Sequence, residues 1–209
     1  MFSLIITIIA VLVILLLNEA WWRIKRPNDE ISRKSVHIIV GSFVAFWPYY
    51  LKWTEIELLG LAFFAVVYVS KHLKIFQAIH SVQRPTMGEV FFALSITLVA
   101  LVTHDPLIYM TAILSMGLAD GLAAILGSYF GKSTNYSIFG NTKSIVGSLT
   151  FYIVVLLLLA NYHAHTHLPE NGAVYLSLGL VATALENVSA LGLDNLFVPL
   201  LIALWLRLA

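Results

Sequence analysis

The stretch PLIYMTAILSMGLADGLAAILGSYFGK, Pro106–Lys132, decides how this chain is read. Its first half is an apolar run suited to a membrane helix, and its second half carries Asp120 among Gly117, Gly121, Gly127 and Gly131. A charge placed in hydrocarbon is costly and marks a functional site by default. Irregular backbone at membrane depth is tolerated only where it lines an enclosed or watery cavity, so this helix is expected to break near Asp120 and to border a site. Lys143-Ser144 and Gly147-Ser148 follow soon after. An acid, lysines and small residues that let backbone amides approach an anion suit a metal ion and a phosphate.

Outward from this segment the chain stays oily. Hydrophobic residues fill 60% of the 209 positions and charged residues 11%, with a mean hydropathy of +0.90, whereas soluble domains carry about 25% charge. That composition excludes the soluble globular classes. Apolar runs near the length that crosses a bilayer give eight candidate spans: Phe2–Leu17, Val36–Leu51, Ile56–Ser70, Gly88–Thr103, Pro106–Phe130, Ile145–Tyr162, Ala173–Ser189 and Leu196–Leu208. The expected fold class is therefore all-α, a polytopic membrane helix bundle of about eight transmembrane helices. Short connections favour one integral-membrane domain over residues 1–209. The first run has no basic segment before it and no small-residue cleavage site after it, so it is taken as a helix and not as a secretory signal. The chain has no cysteine, so any metal would need oxygen or imidazole ligands. The formal net charge of +1 says little about partners; a membrane bilayer is expected, and no nucleic acid.

Basic residues set the expected orientation. With the N-terminus outside, Arg23, Lys25, Arg26, Arg33, Lys34, Lys71, Lys74, Arg84, Lys132 and Lys143 all fall on the inner side, leaving only Lys52 and Arg207 outside. The positive-inside rule strongly favours this arrangement, and it turns every basic cluster toward the cytoplasm. The small size and the lack of a transit peptide point to a prokaryotic plasma membrane.

The ionisable residues within or beside spans gather on that same side. Asp120 lies in the inner part of its span, Glu186 near the inner end of the seventh with Asp194-Asn195 just beyond, Glu89 at the start of the fourth and His37 at the start of the second. Carboxylates at similar depth facing a pool of cations resemble a magnesium and polyphosphate arrangement. Each also has a structural reading. Asp120 could pair with Lys132 or Lys143 as a strut, and Glu89 could serve the dipole of a first helical turn. Arg23, Lys25 and Arg26 fit topology signals, and His163, His165 and His167 fit a solvated outer loop better than a metal site on a strand. Gly127–Ser133, GSYFGKS, has three residues between its glycines where a phosphate-binding loop has four, and no strand is expected before it. Gly131 and Lys132 nonetheless keep the chemistry of an anion contact.

Five blocks in order resemble the polyprenol kinase family, the CTP-dependent lipid kinases that include dolichol, phytol and fungal diacylglycerol kinases. They are RKSVHIIVG (Arg33–Gly41), RPTMGEVFF (Arg84–Phe92), ADGLAAILGSYFGK (Ala119–Lys132), KSIVGSLTFY (Lys143–Tyr152) and ENVSALGLDNLFVPLL (Glu186–Leu201). The central two are also similar to the CTP-binding segment of phosphatidate cytidylyltransferases. The resemblance implies phosphoryl transfer from CTP, with Mg²⁺, to the hydroxyl of a membrane lipid alcohol, which is then the expected partner beside the bilayer. It places Asp120 on the metal and triphosphate, and Gly121, Gly131, Lys132, Lys143, Ser144, Gly147 and Ser148 along the nucleotide. Arg33, Lys34 and His37 would approach the phosphates or the lipid hydroxyl. Glu186 is a further candidate for metal or base, and Glu89, Asp194 and Asn195 match family positions without assigned roles. The chain departs from the family at Val146, where an acid is common, and at Ser128, where an arginine is common. Two other classes stay open at this point. One is a cytidylyltransferase, which would release pyrophosphate. The other is a small transporter with an ion site at Asp120 and Glu186, although no inverted repeat is evident.

Overall fold

In the computed structural model, residues 2–25, 29–73, 86–139, 141–166 and 172–209 are described; Arg26, Lys74, Arg84 and His167 of the readings above lie outside them. Among the described residues the chain is almost wholly helical. The long helices are α1 (Phe2–Lys25), α2 (Asp29–Ala45), α3 (Trp53–Leu73), α4 (Gly88–Val102), α5 (Pro106–Phe130), α6 (Ile145–Thr166), α7 (Gly172–Val188) and α8 (Asp194–Leu208). Four of them, α1, α3, α5 and α6, are long and apolar enough to cross a membrane.

The other expected spans differ for identifiable reasons. Helix α2 begins at Asp29, ahead of the expected Val36, and takes Glu30, Arg33 and Lys34 into its first turns. Helices α4 and α7 are apolar but only 15 and 17 residues long, short of the about 20 residues that a perpendicular span needs. Helix α8 is 15 residues long and carries charge at both ends, Asp194 and Arg207, with Pro199 inside.

Burial sorts the helices into inner and outer ones. Helix α1 is apolar on nearly every side, yet only Thr7, Leu15, Asn18 and Glu19 are buried, as expected of a helix whose remaining faces meet lipid. Helix α5 is the centre, with 61% of its apolar window enclosed by protein. It packs on α2, α6 and α8, while α3 pairs with α4 and α6 with α7. A single apolar cluster draws side chains from all eight helices, among them Leu15, Val40, Ile56, Ile96, Ile113, Phe151, Leu178 and Ile202.

Helix α5 starts where its sequence dictates. Asp105 caps it, its Oδ1 accepting from the amides of Leu107 at 2.8 Å and Ile108 at 3.0 Å, and Pro106 takes the first position, where no amide is needed. The expected irregularity is present as one π turn, Ser115–Ala119, and not as a full break, since the helix continues from Asp120. Gly117, inside that turn, serves packing: a Cβ there would lie 2.9 Å from the Gly41 Cα and 3.0 Å from the His37 carbonyl oxygen, so α2 and α5 cross backbone to backbone.

Between α5 and α6 lies a feature absent from the expected all-helical path. A 3₁₀ turn, Lys132–Thr134, leads into an antiparallel hairpin of β1 (Asn135–Ile138) and β2 (Asn141–Ser144), with Asn135 opposite Ser144 and Ile138 opposite Asn141.

Replacing Gly117 with valine forces α2 off α5, and overpacking of this kind costs about 1–3 kcal/mol. Thermal unfolding of the detergent-solubilised variant is expected to show that loss, and an unchanged midpoint would mean that the crossing is looser than the distances imply.

Candidate active site

Helix ends build the site. The N-terminal turns of α2, α6 and α8 meet the C-terminal halves of α5 and α7 at one end of the bundle, and the hairpin borders the space between them. The result is a cavity of about 700 Å³. Its walls include Arg33 and Lys34 from α2, Asp120 from α5, Lys143, Ser144, Gly147 and Ser148 around the start of α6, Glu186 from α7, and Asp194 with Asn195 from α8.

Three carboxylates meet in this space. One oxygen from each of Asp120, Glu186 and Asp194 lies within 4.8 Å of the others, the former two groups being buried and the third half-buried. They are held in balance by cations from two further elements. The Lys34 ammonium donates to Asp120 Oδ2, and the Lys143 ammonium donates to Glu186 Oε1. The lysine and acid of the first pair keep only 5% and 7% of their side-chain surface exposed, so each depends on the other for compensation. The partner of Asp120 is thus Lys34, not the Lys132 or Lys143 that its neighbourhood in sequence suggested. Arg33 is buried against Glu30 at 2.7 Å, which brings a fourth acid to the rim.

Among the described residues no lysine pairs with the third carboxylate. Burial and the nearby Asp120 charge push the Asp194 carboxyl above the ordinary aspartate range, and Lys34, Lys143 and Arg33 offset this only in part. For Lys143, burial works against the charge, but Glu186, Asp194 and Asp120 outweigh it and hold the ammonium above its usual range.

The local sequence explains how α6 presents itself. Ser144 closes β2 and caps the helix, its Oγ accepting from the Gly147 amide at 3.0 Å. Gly147 and Ser148 then face the cavity from a helix N-terminus, where the dipole favours an anion. Ser148 also donates to Asn187 Oδ1 at 2.8 Å, and Tyr136 of β1 reaches the same oxygen at 2.7 Å, which fastens the hairpin to α6 and α7. On the opposite wall Gly192, at φ +88°, lies so close to Gly88 that a side chain would collide with that backbone. The Leu191 carbonyl accepts from the Met87 amide at 2.9 Å, tying the turn before α8 to the start of α4.

Several expected residues are elsewhere. Lys132 is exposed on the 3₁₀ turn and does not line the cavity, because α5 ends at Phe130 and the chain turns outward before the hairpin returns it. Gly121 packs on Ile38 and Gly131 on Ser144, so both serve contacts between elements and neither borders the cavity. Glu89 pairs with Lys71 at 2.8 Å, away from the carboxylate trio. His37 sits one turn beyond Lys34, fully enclosed, with its ring 4.6 Å from that of Phe92 and, among the described residues, no hydrogen bond to either ring nitrogen. The residues missed at the sequence level are Glu30, Asn135, Phe139, Asn141 and Thr142, all of which line the cavity. The alternation of Tyr136 and Ile138 before Gly140-Asn141 was the one signal for the hairpin.

Lys34→Met leaves Asp120 buried and uncompensated, a change that typically costs about 3–5 kcal/mol. The double variant Lys34→Met, Asp120→Asn is expected to recover part of that loss in unfolding measurements, and a double variant no more stable than the single one would show that the pair is not coupled.

No family model matches the chain, and no solved structure does. A phytol kinase from Synechocystis sp. is 34% identical over 195 residues, which cover 90% of this chain and 82% of the relative. With that identity along nearly the whole chain, this protein belongs to the polyprenol and phytol kinase family and is a phosphotransferase that acts on an alcohol group.

Proposed function

We propose that this protein transfers the γ-phosphate of CTP to the hydroxyl of a membrane isoprenoid alcohol of the polyprenol, dolichol, phytol or geranylgeraniol type. The observation that carries this reading is the trio Asp120, Glu186 and Asp194 set among Lys34, Lys143 and Arg33 in one cavity. Phosphoryl transfer asks for positioning and charge neutralisation more than for covalent catalysis, and these groups supply both.

The donor set fits Mg²⁺: three carboxylates offer only hard oxygen atoms, close enough together to share one ion. Asp120 and Glu186, joined by Asp194, would hold it, and when bound it neutralises charge that builds on the transferring phosphoryl group. Lys34 and Lys143 then exchange their carboxylate partners for phosphate oxygens, with Arg33 beside them. Ser144, Gly147 and Ser148 receive the phosphate chain at the start of α6. Should Glu186 take the hydroxyl proton instead, Asp120 and Asp194 would be the carboxylates left to hold the ion. His37, enclosed against Phe92 and outside the cavity lining, is left without a direct contact to the substrate in this reading.

The topology that goes with this reading has eight spans in one domain, the N-terminus outside, and the cavity open to the cytoplasm of a prokaryotic cell. The positive-inside distribution supports that orientation. It brings a water-borne nucleotide to the same surface that a lipid hydroxyl reaches from within the bilayer.

Purified protein incubated with Mg²⁺, γ-labelled CTP or ATP, and a panel of isoprenoid alcohols and diacylglycerol is expected to label an isoprenoid alcohol, with CTP preferred. Asp120→Asn abolishes labelling in a protein that still folds. Transfer of an α-phosphate label to lipid would overturn the kinase reading in favour of cytidylyl transfer, and unchanged labelling in the variant would remove Asp120 from the mechanism.

The raised Asp194 carboxyl sets a pH dependence. Its proton competes with the cation, so Mg²⁺ affinity is full above the raised value and falls on acidification from a pH above the ordinary aspartate range. Titrating Mn²⁺ as a paramagnetic substitute should show this loss, and Asp194→Asn should flatten it.

A further inference from the structure

Phe139 is 81% exposed at the tip of the hairpin, yet it forms part of the cavity wall. Its backbone is left-handed, with φ +47°. Glycine and asparagine adopt that conformation readily, whereas a bulky aromatic residue pays for it. Nothing in the apolar core holds the ring there, because it lies outside the buried cluster. The hairpin beneath it is fastened by Tyr136 to Ser148 and Asn187, so the ring stands on an anchored support. A strained, exposed aromatic at the edge of a charged cavity is unusual enough to ask what covers its face.

The spacing answers that question. Asn141 is three residues from Ser144 along β2, or about 10 Å at the rise of a strand. The exposed ring stands on the solvent side of the cavity, while Lys34, Asp120 and Glu186 are buried in its inner wall and Lys143 lies along β2 between. An extended triphosphate with its ribose fills such a length and leaves its base at the mouth. Aromatic faces hold bases by stacking, and Asn141 Oδ1, whose amide nitrogen donates to the Ser189 carbonyl at 3.4 Å, can accept from the polar edge of a base.

We infer that Phe139 is the nucleobase platform of this enzyme, stacking on the base of the nucleoside triphosphate whose phosphates are held by Lys34 and Lys143. This rests on the nucleotide reading given above and deepens it by naming the residue that grips the base. Phe139 is a binding residue and takes no part in proton or phosphoryl transfer.

The test compares two probes, Mg·CTP and Mg·tripolyphosphate, which share phosphates and differ in the nucleoside. For Phe139→Ala in lipid nanodiscs, the Kd and KM for CTP are expected to rise about 5- to 100-fold, the range set by loss of one stacked base. The affinity for tripolyphosphate and the kcat at saturating CTP should stay within about twofold of wild type, a margin below any stacking loss. Phe139→Trp should keep CTP affinity, and Phe139→Leu, which preserves apolar bulk without a π face, should not. Unchanged CTP affinity in Phe139→Ala, with wild-type labelling of lipid intact, overturns this inference alone. Equal loss of both probes, or full rescue by leucine, overturns it in favour of a structural role for the tip. A raised KM for the lipid alcohol with CTP unaffected overturns it in favour of a membrane contact. A wild-type protein that neither binds Mg·CTP nor labels lipid overturns the nucleotide reading together with the inference.

Discussion

Three carboxylates brought beneath the surface of an apolar bundle cannot stand uncompensated, and that constraint organises the cavity end of this protein. A buried charge without a partner costs several kcal/mol, by the usual order of magnitude. Lys34 answers Asp120, and Lys143 answers Glu186. These pairs link α2 to α5 and the hairpin to α7, so the electrostatic requirement draws together elements that the apolar core alone would leave free to shift. Asp194, with which no lysine pairs among the described residues, sits where the fields of both pairs overlap.

Membership of an alcohol phosphotransferase family and the cavity geometry bear on different questions. The family relation fixes the class of reaction. The geometry bears on how these side chains could carry it out. Balanced lysine and carboxylate pairs let these charges stay buried together, where a lone member of either pair would carry the full cost of desolvation.

The helices were largely legible in the sequence, because long apolar runs leave few alternatives to a helix. The start of α2 was not: Arg33 and Lys34 look like loop charges until their buried partners are known. Asp120 lies 86 residues from Lys34, and no local spacing announces such a pair, so the nearby lysines were the natural but mistaken choice. The convergence of Asp120, Glu186 and Asp194 was foreseen in kind, since acids at one depth in neighbouring helices have few other places to go. The hairpin was hidden because each strand has only four residues, too few for alternation to stand out from a polar connection. Lys132 misled for the same reason, since its direction is set by a turn that composition does not reveal. The glycines of α5 were read as a break, whereas Gly117 permits a close crossing.

The π turn at Ser115–Ala119 has a further consequence. Such a turn holds one residue more than an α-helical turn, and each residue advances a helix by about 100°, so it resets the angular phase of everything that follows. The outer half of α5 keeps its fit to α8, while the inner half is rotated as a block. Removing a single residue from that turn would restore a regular helix and swing the acid at its inner end about a quarter of a revolution away from its lysine, with the outer packing untouched. The half of the helix that carries Asp120 is thus clocked independently of the half that anchors it.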